Sequence, residues 1–87
     1  MKAIRGATTV AKDSPDEIRA AVKEMLDAIA EENGISERDM LFILFSNTED
    51  IRSFYPAKAA REAGYAMPAL YSSAEPAIDG ALPLCIR

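Results

Sequence analysis

Apolar side chains recur at Ile18, Val22, Met25, Leu26 and Ile29, with Ala21 and Ala30 beside them. Steps of three and four place them on one face of a helix, and Glu17, Lys23, Glu24, Asp27 and Glu31 fill the opposite face. Ser14-Pro15-Asp16-Glu17 marks where this helix begins: Ser14 can cap the amide three residues on, Glu17 can reach back, and Pro15 stands where no amide donor is needed. Asn33-Gly34 supplies residues that tolerate positive φ, so the pattern predicts a helix from Pro15 to about Glu32, roughly 27 Å long.

The remaining elements are shorter. Met40 to Phe45 is continuously apolar and too short for a surface helix, which predicts a central strand buried on both faces. Ser36 to Asp39 offers a second cap ahead of it, Ser46, Asn47 and Thr48 end it, and Thr48 to Ile51 suggests a short helical turn. At the front, Ile4, Thr8, Thr9 and Val10 favour a strand running through MKAIRGATTVAK, with Gly6 allowing a bulge or a close backbone approach. Pro56 opens a second helix, Ala57 to Ala63, closed by Gly64. Met67 to Tyr71 predicts a third strand, and Ser72 to Leu84, with Pro76, Gly80 and Pro83, a long loop. Leu84 to Arg87 has the character of a strand barely begun. The alternation of strands and helices predicts an α/β or α+β fold in which a small sheet packs on one long and one short helix.

Composition narrows what such a domain can do. A chain of 87 residues is one domain, and it buries only about 60 to 65% of its unfolded surface. So thin a core leaves a sheet face or edge for a partner, so oligomerisation is expected. Histidine is absent and Cys85 stands alone, which excludes Ser/His/Asp and Cys/His nucleophiles, a disulfide framework and a zinc site built on His or Cys. Cys85 reads as a small buried hydrophobe. A net charge of -4 argues against a nucleic-acid partner. No apolar run of about 18 residues and no leader are visible, so no membrane association and a cytoplasmic setting are expected.

Taken singly, the charged residues suggest little. Arg5 inside an apparent strand reads as a solvated edge cation unless it faces an anion, Arg87 as a frayed terminal cation, Glu75 as a solvated loop carboxylate, and Arg61 as a partner in a helix-surface ion pair. In order, however, three segments resemble one family: Ile4-Arg5-Gly6-Ala7-Thr8-Thr9-Val10, Tyr55-Pro56-Ala57-Lys58-Ala59-Ala60-Arg61, and Cys85-Ile86-Arg87, with Glu75 ten residues before Cys85. The resemblance is to the monofunctional chorismate mutases of the trimeric, barrel-like α/β class, as distinct from the all-helical ones, and it is collinear over essentially the whole chain.

The resemblance implies conversion of chorismate to prephenate on the route to phenylalanine and tyrosine. This intramolecular Claisen rearrangement uses no cofactor, no metal, no covalent enzyme intermediate and no proton transfer. Its barrier falls when the dicarboxylate is held in a chair and the charge gathering on the ether oxygen is met by a fixed cation. By the same resemblance Arg87 faces the ether oxygen, with an effect of about 3 to 4 kcal/mol by analogy with one oxyanion donor. Arg5 binds a carboxylate through its planar fork. Glu75 accepts the ring hydroxyl, Tyr55 forms an aromatic wall, and Arg61 is a cation near the pocket mouth. Ser72 stands where family members often carry cysteine, and Ser73 joins it as a substrate contact. The implied assembly is a homotrimer with a pseudo-α/β-barrel core and sites between subunits. The family continues past Arg87 through the rest of that strand, a further strand and a tail that carries a pocket tyrosine and part of a lid. A shortened chain of weakened or lost activity is therefore expected. The alternative is a non-catalytic trimeric module of the same fold that binds a carboxylate metabolite or a protein.

Overall fold

The computed structural model describes residues 1–87. Helix α1 spans Pro15–Asn33, and its ends follow the expected chemistry: Ser14 Oγ accepts from the Glu17 amide at 3.3 Å, and Gly34 takes φ 61° just past the last turn. Its apolar face, Ile18, Val22, Met25 and Leu26, is buried against Ala59 and Ala60 of α2 (Pro56–Glu62) and against Phe45 and Ile86 of the sheet. The two alanines let the helices approach closely. Gly6 lies close against α1, where a Cβ would stand 3.0 Å from Ile29 Cδ1 and 3.3 Å from Met25 Cγ, so that both side chains would have to shift.

The sheet has four strands, β1 (Thr8–Thr9), β2 (Phe42–Asn47), β3 (Ala69–Ala74) and β4 (Cys85–Ile86), in the order β1-β4-β2-β3. β2 and β3 are parallel, joined through α2, and β4 runs antiparallel to both β1 and β2. The fold is thus a small mixed α+β sheet layered on one long and one short helix, with β2 internal as expected.

Four local expectations change. β1 is two residues long rather than most of the first twelve, because its only neighbour in the sheet is the equally short β4. β2 is shifted toward Asn47 and is covered on one face only: Phe45 is buried, while Phe42 and Leu44 are 65% and 56% exposed on the side away from the helices. β3 runs on through Ser72 and Ser73, residues that composition assigns to a loop, because a continuous parallel register from Phe42–Ala69 to Asn47–Ala74 pairs them. Thr48 to Ile51 is a hydrogen-bonded turn and not a helix, since the Thr48 and Asp50 side chains reach across to β4. A 3-10 turn at Glu37–Asp39 follows Ser36, where a cap was expected; the Ser36 amide donates to Asp39 Oδ2 at 2.9 Å.

Candidate active site

The outer face of the sheet gathers charge where β2, β3 and β4 meet. Immediately after β4, Arg87 pairs with Ser46 through both main-chain bonds, Arg87 N to Ser46 O at 2.8 Å and Ser46 N to Arg87 O at 2.9 Å. Because strand residues alternate sides and Ile86 lies in the core, this pair turns the Arg87 and Ser46 side chains to the uncovered face. Glu75 follows β3, its amide donating to Asn47 O at 2.9 Å. Its Oε1 accepts from Arg87 Nε at 2.8 Å and from Ser46 Oγ at 3.1 Å.

One carboxylate oxygen therefore takes both protein donors, and Oε2 and the terminal guanidinium nitrogens make no hydrogen bond within the chain. The Glu75 side chain is 18% exposed and that of Arg87 48%, so a shielded acid backs a half-open cation. Such a pair can offer one acceptor to a hydroxyl and two or more donors to an anion.

The other predicted site residues make no hydrogen bond or ion pair with Arg87 or Glu75. Arg5 is exposed and borders a shallow depression of about 240 Å³ with Gly6, Thr8, Glu24, Met25 and Ile29. It lies three residues before the Thr8–Ile86 pair, on the side of that pair toward which Arg87 extends. Tyr55, 72% exposed, precedes the first residue of α2, and Arg61 is exposed in its last turn with no ion pair. Ser72 is turned to the helix side, where its Oγ accepts from the Ala57 amide at 3.2 Å and caps α2. Ser73 sits beside Ser46 in register and donates its hydroxyl to Phe45 O at 2.8 Å. Cys85 is buried. No three Cys, Asp or Glu side chains converge into a set that could hold a metal ion.

Three residues of the site were not anticipated. Ser46 holds Glu75, and Thr48 and Asp50 hold the start of β4. Ser46 continues the period-two alternation of β2 from Leu44, a signal the sequence does carry. Asp50 has none, because its partner Leu84 is 34 residues away. The hydrogen bond from Thr48 is the main cause that holds the Asp50 carboxyl below the usual aspartate value; the Leu84 amide assists, and burial and the Asp13 charge oppose.

These features define a class: a small α+β domain with helices on one sheet face and an arginine–glutamate pair on the other. The family model for chorismate mutase type I matches residues 1–87. The chain is 41% identical to chorismate mutase AroH of Thermus thermophilus and 39% identical to chorismate mutase AroH of Bacillus subtilis (strain 168), in each case over its whole length, and it spans 72% and 69% of those proteins. A solved chorismate mutase from Clostridium thermocellum superposes with a TM-score of 0.91 at 42% identity, covering 95% of this chain and 74% of that one. The chain belongs to the chorismate mutase type I family.

Proposed function

We propose that the protein is a chorismate mutase, an isomerase converting chorismate to prephenate in aromatic amino acid biosynthesis, with Arg87 and Glu75 at the centre of its site. The observation that carries this reading is the half-open Arg87 guanidinium, backed by the shielded Glu75 carboxylate, in a chain of this family. Arg87 meets the negative charge that grows on the ether oxygen as the C–O bond breaks. A fixed guanidinium is worth most there, because the charge is larger in the transition state than in the ground state. Glu75 Oε2 accepts the ring hydroxyl and orients the substrate. Arg5 takes a carboxylate, Tyr55 walls the pocket, Arg61 attracts the dianion at its mouth, and Ser73 lies beside Ser46 on the outer face. Ser72 acts through α2, whose first turn it caps, and thereby through Tyr55. The alternative of a non-catalytic module is not favoured, since the relatives are chorismate mutases.

The working form in this reading is a homotrimer in the cytoplasm. Phe42, Leu44 and Tyr71 expose a continuous apolar stretch of the outer sheet face, which supports burial against further copies. Arg5, Tyr55 and Arg61 make no hydrogen bond or ion pair with Arg87 or Glu75, which supports pockets completed between subunits. Arg87→Met tests the assignment. We expect kcat for prephenate formation to fall by about 100-fold or more with a smaller change in KM. Equal losses in the two constants would count against the role given to Arg87.

A further inference from the structure

β4 poses a problem of register. It is two residues long, paired at Thr9–Cys85, Thr8–Ile86 and Asn47–Ile86, with one main-chain bond before it, Val10 N to Leu84 O at 3.0 Å, and the Arg87–Ser46 pair after it. A ladder that short fixes its own alignment weakly, yet a slip by one residue would turn Arg87 from the outer face to the helix face. Further bonds hold the alignment from outside the strand. Both carboxylate oxygens of Asp50 accept from the Leu84 amide, at 3.0 and 3.2 Å. Thr48 Oγ1 donates to Asp50 Oδ1 at 2.5 Å and accepts from the Cys85 amide at 3.0 Å, while the Thr48 amide donates to Cys85 O at 3.0 Å. Three main-chain groups at the entrance to β4, the Leu84 and Cys85 amides and the Cys85 carbonyl, are thus engaged by two side chains and one amide from the turn after β2.

Leu84 gives a second, independent sign. Its φ of 51° is the only positive value at a non-glycine residue in the chain, a conformation disfavoured by its Cβ. A residue stays there only where its surroundings over-determine it, and the bonds to Asp50 do so. An aspartate serving only its own turn would bond the amides next to it; this one spends both oxygens on a residue 34 positions away.

We propose that Asp50, with Thr48 as its relay, is a positioning residue for the reaction: it indexes β4 so that Arg87 emerges opposite Ser46 and against Glu75. The effect on turnover rests on the function proposed above, whereas the effect on register does not. The test is Asp50→Asn in the full chain, read by steady-state prephenate formation and by amide hydrogen exchange. An asparagine presents an NH2 group toward one of the donors, so the Leu84 and Cys85 amides should exchange about tenfold faster or more while the α1 amides are unchanged. kcat should fall about 10- to 100-fold with a smaller change in KM, the scale of a misaimed catalytic group. In the Arg87→Met background the same change should cost almost nothing further, because its target is gone. An equal fold loss in both backgrounds would show that Asp50 acts through general stability and would overturn the proposal. Thr48→Val should reproduce the defect and Thr48→Ser should not, which keeps the test decisive if Asp50→Asn folds poorly; wild-type exchange and kcat in Thr48→Val would also overturn it. If the unaltered chain forms no prephenate, the proposed function fails, and unchanged protection of Leu84 and Cys85 in Asp50→Asn remains the result that refutes the register claim.

Discussion

Three aspartates hold main-chain or hydroxyl donors across the fold, and all three titrate below the usual aspartate value. Asp50 is lowered chiefly by Thr48, and Asp27 by Lys23 and then Tyr65. At Asp13 burial pushes upward but is outweighed by the Ser53 hydroxyl, the Ser53 and Arg52 amides and the Arg52 charge. Each titrates near 3.8 in the unfolded chain and lower in the folded one, so as pH falls the unfolded state takes up protons first. Their contribution is complete above 3.8 and is lost as pH drops through the folded values. Thermal midpoints should therefore fall steeply below about pH 4, and Asp50→Asn should flatten part of that slope. At the basic end the sign reverses. Tyr65, raised to about 12 by burial and by its hydrogen bond to Asp27, stabilises below pH 10 and ceases to do so as pH passes 12, which the same melts extended to high pH would record.

Among the elements, α1 was legible from end to end because its signals are local: Ser14 and Gly34 lie within a residue of the helix they bound. Gly34→Ala should cost about 1 kcal/mol, since an L side chain at φ 61° is strained even in open space; a lower urea midpoint at unchanged slope is the expected readout. The strands were legible in number but not in extent. Ser72 and Ser73 carry loop-forming side chains and become strand only because Phe45 and Ser46 pair with them. The same limit applies to the site. Arg87 and Glu75 stand out only through resemblance, and their direct contact, the bond from Ser46 to Glu75 and the bonds from Leu84 to Asp50 arise from pairings made across long stretches of chain, which no local pattern encodes.

At the scale of the whole molecule, one face of the sheet is finished and the other is not. Helices bury Phe45 and Ile86, while Leu44 and Tyr71 stand side by side in register, 56% and 64% exposed. Under the proposed trimer, Leu44→Asp should leave helix content intact but give a single-chain mass by ultracentrifugation, with prephenate formation falling alongside. A trimer that tolerates this charge would place its contacts elsewhere. The order of strands also bears on how the domain comes together during synthesis. β1 meets the sheet only through β4, so during synthesis β1 must wait, unpaired, until β4 follows some 76 residues later. Until Cys85 and Ile86 emerge, the nascent protein is a helix pair on a two-stranded ribbon with a loose leading end, open to proteases and chaperones alike.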